Sequence, residues 1–260
     1  MVSAIVTRLL VSSRARREFW WRSLRWQLAL FILLAAILST TDLDERIASA
    51  LFFDPVTGWL GGTSWLTHGF LHTGGQWLIR SVVFVALCMF VASFVDESQV
   101  GWRRPAGFIA ISMILSVGSV GLLKHMTNVN CPWDLIPFGG RYPYLHLFAH
   151  RPPGHVGHCF PAAHSSSGYA LLALYFVARE HRGHWARVAL AAGICMGVIF
   201  GISQQSRGAH FVSHDLWSAM IAWCVPLTLY CFGFGCSLSS NAQARALLPI
   251  PRVAVPDTNS

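Results

Sequence analysis

The chain has 260 residues, 54% of them hydrophobic and 12% charged, with a formal net charge of +8. A water-soluble domain carries about 25% charged residues, so this composition excludes one and calls for lipid as the solvent. The positive charge does not point to nucleic acid either, because the arginines gather at the ends of apolar runs, where membrane topology needs them.

Residues 1–25 place Arg8, Arg14, Arg16, Arg17, Arg22 and Arg25 among Phe19, Trp20 and Trp21. That pattern predicts a basic amphipathic segment at the cytoplasmic interface. The apolar run from Trp26 to Thr41 reads as an uncleaved anchor and not a signal peptide, since the basic region is long and more apolar runs follow. Runs at about 26–42, 77–95, 105–123, 160–178, 187–203 and 216–235 approach the roughly 20 residues that cross a bilayer core. They predict an all-α, polytopic membrane bundle of six transmembrane helices within residues 26–235. The fifth run is short. Pro226 in the sixth is tolerable in a membrane helix and predicts a kink. Residues 236–260, with Pro, Ser and Asn, predict a disordered cytoplasmic tail.

Charge sets the orientation. With the N-terminus inside, thirteen of the nineteen basic residues fall on cytoplasmic pieces, and Arg46, Arg80, Lys124, Arg141, Arg151 and Arg207 fall outside. This satisfies the positive-inside rule. Lys124 is the single lysine beside eighteen arginines. On the outer face, three distant stretches meet at one membrane depth: "KHMTNVNCPWD" (124–134), "CFPAAHSSSGYA" (159–170) and "SQQSRGAHFVSHDLW" (203–217).

Together these stretches resemble the type 2 phosphatidic acid phosphatase superfamily, and within it the bacterial lipid A phosphatase-like branch. The family pattern is Lys, six residues, Arg-Pro; then Pro-Ser-Gly-His; then Ser-Arg, five residues, His, three residues, Asp. Lys124 matches the lysine, and Cys131-Pro132 stands where Arg-Pro is expected. Pro161-Ala162-Ala163-His164 matches the second motif, and His210 the histidine of the third. Gln204 occupies the third-motif arginine position, with Arg207 three residues on; His214 occupies the acid position, with Asp215 next. One helical turn separates Gln204 from Arg207, so the two would share a face. The first-motif arginine has no local substitute; Arg141 or Arg151 would have to supply its charge from the loop.

The resemblance implies a phosphatase chemistry, and the residue types suit it. A phosphoryl transition state spreads charge over three oxygens, which fixed cations stabilise; Lys124 and Arg207 are the candidates. A neutral imidazole attacks phosphorus and forms a covalent intermediate, the role implied for His210. Asp215, or else His214, would orient that ring. His164 would protonate the leaving oxygen and then activate water. This scheme needs no cofactor and no metal.

Other residues carry plainer readings. His68, His72, His125 and His146 suit hydrogen bonds to headgroups or backbone, and Arg80 suits a snorkelling anchor. His146, His150, His155, His158, Cys131 and Cys159 are dense enough for zinc or copper but match no standard ligand spacing. Cys131 and Cys159 both fall outside, where an oxidising periplasm permits either a disulfide or two free thiols.

The expectation is therefore a metal-independent phosphatase of the bacterial inner membrane, acting at the periplasmic face on a lipid A phosphate or a similar phosphate or diphosphate lipid. Its partners are that substrate and the membrane lipids. The alternatives are a lipid phosphotransferase and a catalytically inactive transporter or interaction protein, the latter favoured by the two displaced arginines.

Overall fold

The structure is a computed structural model that describes residues 2–151, 157–181 and 183–234. The tail at 236–260 and His155 lie outside that range. Helix α1 (Val2–Thr40) runs unbroken through residue 25 and is followed by α2 (Leu43–Leu51). A two-residue ribbon, β1 (Phe53–Asp54) and β2 (Gly58–Trp59), pairs antiparallel. A π-helix (Leu66–Gly74) leads into α3 (Gly75–Val95), and a 3-10 turn (Glu97–Trp102) into α4 (Arg103–Met126). After the long loop that follows α4 come α5 (Ala163–Tyr169), a 3-10 turn (Ala170–Leu172), α6 (Ala173–His181), α7 (Gly183–Ser206) and α8 (Val212–Leu229).

Among the described residues, five helical stretches are long and apolar enough to cross a membrane: Trp20–Thr40, Leu66–Val95, Glu97–Met126, Gly183–Ser206 and Val212–Gly233. The run expected to span at 160–178 is helical in three pieces, α5, the 3-10 turn and α6. The run that reads as short, 187–203, belongs to a 24-residue helix. Hydropathy marks hydrocarbon and not helix ends, and His184, Gln204 and Gln205 remain helical beyond the apolar stretch. The ribbon and α2 were not expected.

Lipid offers no hydrophobic drive between helices, so close packing must hold them together. Helix α7 carries Gly193, Gly197 and Gly201 at four-residue intervals, and each is occupied from outside. A Cβ at Gly193 would meet Leu172 at 2.9 Å, one at Gly197 would meet Tyr169 at 2.1 Å, and one at Gly201 would meet Asp215 at 2.7 Å. The stripe lets α5 and α8 lie against α7. Helix α1 is peripheral: Trp26, Leu30 and Leu33 are exposed, and it reaches α8 through Phe31 and Trp217, ring centroids 4.9 Å apart. Phe53, Trp59, Phe138 and Phe211 pack together in an aromatic cluster apart from the main core.

Candidate active site

Backbone hydrogen bonds stitch the three motif stretches together. Trp133 N–H donates to Gly208 O at 3.0 Å, Cys159 N–H to Val129 O at 2.9 Å, and Ala162 N–H to His214 O at 3.3 Å. Cys131 and Cys159 face one another as a disulfide, Cα atoms 5.1 Å apart. Beyond the end of α7, Gly208 adopts φ +73°, and a Cβ there would strike the Trp59 ring at 2.3 Å. Glycine is needed at that position twice over, for the left-handed backbone and for the close approach. The turn it permits carries Arg207 and His210 into the site.

Lys124, His164, Arg207 and His210 line one cavity of about 1210 Å³. Its wall continues between α3 and α4 along Val83, Phe84, Leu87, Met113, Ile114 and Val117. One end is cationic and imidazole-rich, the other purely apolar. Among the described residues, three cations line it (Lys124, Arg207 and Arg80) and no carboxylate does. At an effective dielectric of about 20, like charges roughly 10 Å apart repel by about 1.7 kcal/mol, so the cavity favours an anion.

His210 is buried and its Nδ1 lies 3.3 Å from Nδ1 of His214. The Cys159 carbonyl is within hydrogen-bonding reach of both rings. His214 lines a smaller cavity with Asp44, Tyr144 and Arg151, and does not line the large one. His210 itself lines the large cavity, with its Nδ1 turned to His214. Burial, then His214, then Lys124 hold the His210 imidazole well below the usual histidine range, against the pull of the Cys159 carbonyl. It is neutral at pH 7, the state a nucleophile needs.

His164 Nε2 lies 3.2 Å from the carbonyl of Leu71, in the π-helix. A carbonyl only accepts, so Nε2 carries the proton. Nδ1 is buried and has no hydrogen-bond partner among the described residues. π-helical turns are frequent at functional sites, and this one also supplies His72. The His72 and His164 rings stack, centroids 4.5 Å apart.

Gln204 links His72 to Arg207. Arg207 Nη1 donates to its Oε1 at 3.2 Å, which turns Nε2 toward His72 Nδ1 at 3.4 Å. Gln204 and Arg207 thus do share a face, and the amide in the family's arginine position holds the displaced guanidinium.

Asp215 is placed elsewhere. Its carboxylate accepts from Gln205 Nε2 of α7 at 2.5 Å and sits over Gly201. Adjacent helical residues point about 100° apart, so a helix that presents His214 to His210 turns Asp215 away to α7. Neither loop arginine replaces the missing first-motif arginine in the cavity wall: Arg141 is exposed, and Arg151 donates to the carbonyls of Leu147 and Ala149 beside the smaller cavity. The dense histidine loop is dispersed as well. His146 Nε2 lies 3.8 Å from an Asp42 carboxylate oxygen, and the His158 ring lies against that of His125, centroids 5.3 Å apart. Among the described residues, no three His, Cys, Asp or Glu are grouped to hold a metal ion.

Two wall residues were read from sequence as peripheral, His72 as a headgroup contact and Arg80 as a snorkelling anchor. Both precede the first motif by more than forty residues. The only local signal was their spacing with Gln76, at four-residue intervals on one helical face.

The sequence profile of the PAP2 superfamily matches residues 105–236. No match is found among curated proteins. In architecture the chain is similar to a transmembrane PAP2-type phosphatidylglycerolphosphate phosphatase from Bacillus subtilis, seen in a crystal structure. The TM-score is 0.51 at 19% identity, covering 83% of this chain and 96% of that one. Likeness at that identity shows a shared fold.

Proposed function

The chain belongs to the PAP2 superfamily, and from that premise we propose that it is a lipid phosphatase working through a phosphohistidine at His210. The observation that carries this reading is the two-ended cavity. Lys124, Arg207, His164 and His210 stand at its polar end, and an apolar lane leads away between α3 and α4. A phosphate fits the first and a hydrocarbon chain the second.

The chemistry follows from the geometry. Lys124 and Arg207 take the phosphoryl oxygens, and charge on those oxygens is stabilised as it spreads in the transition state. His210 Nε2 forms a bond to phosphorus as the phosphorus–oxygen bond to the lipid breaks. A bound phosphate dianion favours the doubly protonated ring of His164, so that Nδ1 carries a proton beside the one Nε2 gives to the Leu71 carbonyl, and Nδ1 passes it to the leaving oxygen. Water then attacks phosphorus, returns a proton to His164 and frees His210. In this reading His214, whose Nδ1 lies 3.3 Å from that of His210, takes the orienting role and Asp215 does not.

We place this site at the periplasmic face of a bacterial inner membrane, in a six-span chain with both termini cytoplasmic. Support comes from the arginine distribution and from the antiparallel course of α1 and α8, in which Trp20 lies by Thr228 and Phe31 by Trp217. A lipid A phosphate or a similar phosphate or diphosphate lipid is the substrate class. The phosphatidylglycerolphosphate named for the Bacillus subtilis protein belongs to the same chemistry.

The test is to incubate purified full-length protein with a panel of phosphate lipids, with and without EDTA, and to measure free phosphate. Release that survives chelation is expected. Transfer to a second lipid without release would make the protein a phosphotransferase. Absence of both would overturn the reading.

A further inference from the structure

We propose that His72 is a catalytic residue: its Nε2–H donates to an oxygen of the bound phosphoryl group, as a third donor beside Lys124 and Arg207. The inference deepens the phosphatase reading and rests on it.

His72 lies in the π-helix (Leu66–Gly74) and lines the large cavity with Lys124, His164, Arg207 and His210. Its tautomer is set by a chain of three residues. A guanidinium only donates, so Arg207 Nη1 takes the Gln204 carbonyl oxygen at 3.2 Å. The Gln204 amide nitrogen then faces His72 Nδ1 at 3.4 Å. That nitrogen also only donates, so Nδ1 accepts and Nε2 carries the ring proton. Among the described residues the ring makes no other hydrogen bond, which leaves the Nε2–H for a ligand. A ring placed only for packing gains nothing from a fixed tautomer. A ring that must show an anion its N–H, and never its lone pair, depends on one.

The same chain keeps His72 neutral. A proton on Nδ1 would set one N–H against another at Gln204. The His164 ring lies 4.5 Å from that of His72, centroid to centroid, and is the imidazole that gains a second proton when phosphate binds. Another imidazolium beside it would repel that charge. His72 therefore donates without titrating, and His164 alone moves the proton.

A phosphoryl group has three oxygens on which the transition state spreads charge. Cys131 and Gln204 stand at the two positions where the family pattern has arginine. Cys131 is bonded to Cys159 and offers no donor, and the Gln204 amide is taken up by His72. Arg207 gives Nη1 to Gln204, while its Nε is buried with no hydrogen-bond partner among the described residues. The Lys124 ammonium, the Arg207 Nε–H and the His72 Nε2–H supply three donors for the three oxygens. The two displaced arginines are thus answered by one guanidinium and one imidazole, joined through the Gln204 amide.

The test compares full-length wild type with His72→Gln, His72→Asn and His72→Phe in detergent. One probe is orthovanadate, a phosphate analogue that adopts the five-coordinate shape of the transition state, with binding followed by calorimetry. The other is whichever phosphate lipid of the panel wild type hydrolyses fastest. His72→Gln keeps an N–H near the Nε2 position. His72→Asn keeps an acceptor for Gln204 near the Nδ1 position, and His72→Phe keeps only a ring. Loss of one preorganised donor lowers turnover about 10²–10³-fold. His72→Phe and His72→Asn should therefore lower it at least about 10²-fold and weaken vanadate at least about tenfold, with His72→Gln within about tenfold of wild type in turnover. Unchanged melting temperatures check folding. Recovery in His72→Asn but not in His72→Gln would make His72 a prop for Gln204 and overturn the proposal. So would equal loss in all three variants, undiminished vanadate binding in His72→Phe, or no vanadate binding by wild type. Vanadate binding that depends on His72, in a wild type that hydrolyses no lipid of the panel, would instead overturn the phosphatase reading alone.

Discussion

The Nδ1 atoms of His210 and His214 lie 3.3 Å apart, with both rings buried. One nitrogen must donate and the other accept, so each ring fixes the tautomer of the other. A carboxylate in the same place would do this and also carry charge; an imidazole does it without charge. His210→Ala should abolish turnover and any acid-labile phosphoenzyme. His214→Ala should slow turnover by about 10²-fold, within the range for a group that positions a proton. His214→Asp, which restores the family's acid in its slot, should exceed His214→Ala. Equal loss in the first two variants would mean that the nucleophile has been misplaced.

Burial keeps His210 neutral well below the usual histidine range. An ordinary imidazole would be only about one-tenth neutral at about pH 5.5. Phosphoenzyme formation, followed by rapid quench, should fall by less than about threefold between about pH 7.5 and 5.5, because the lowered pKa leaves the attacking form in place. A tenfold fall would show an unperturbed ring.

Asp44 of α2 accepts the Ser213 N–H at 3.0 Å, capping the start of α8 next to the site. Burial raises its pKa to about 6, against the Ser213 hydrogen bonds. A raised acid contributes most below its unfolded pKa, and the contribution is lost as pH rises through about 6. Asp44→Asn keeps an acceptor for Ser213 and cannot ionise. From about pH 4 to 7, wild type should lose about 2 kcal/mol of stability relative to this variant. Parallel melting curves would show that Asp44 does not titrate in that window.

Cys131 and Cys159 close a loop with a sequence separation of 28. Chain entropy for a loop of that size gives about 3–4 kcal/mol. Peptide mapping without reductant should recover the linked pair. Cys131→Ser should lower the melting temperature and also slow turnover, since the Cys159 carbonyl reaches the His210 ring. Free labelling of both thiols in intact periplasm would refute the bond.

The proposed orientation puts Arg141 outside and the N-terminus inside. Compartment-sensitive reporters fused at those two points should report opposite sides. A cytoplasmic signal at Arg141 would remove the site from the periplasm.

That Lys124, His164 and His210 line one cavity was legible in the sequence through motif spacings that resemble those of the family, and the apolar runs around them were legible because lipid demands long uncharged helices. The pairing of Arg207 with Gln204 was legible for the same local reason, the helical turn. What the tertiary structure decided lies between segments far apart in the chain. Leu71, in a π-helix, sets the tautomer of His164, and His72 and Arg80 join a cavity whose motifs begin only at residue 124. The direction in which Asp215 points was decided by α7, whose Gly201 leaves room for its carboxylate. Periodicity says which residues share a face of one helix. Which helix meets that face depends on side-chain volumes, glycine gaps and hydrogen bonds summed over the whole bundle, and no local pattern holds that sum.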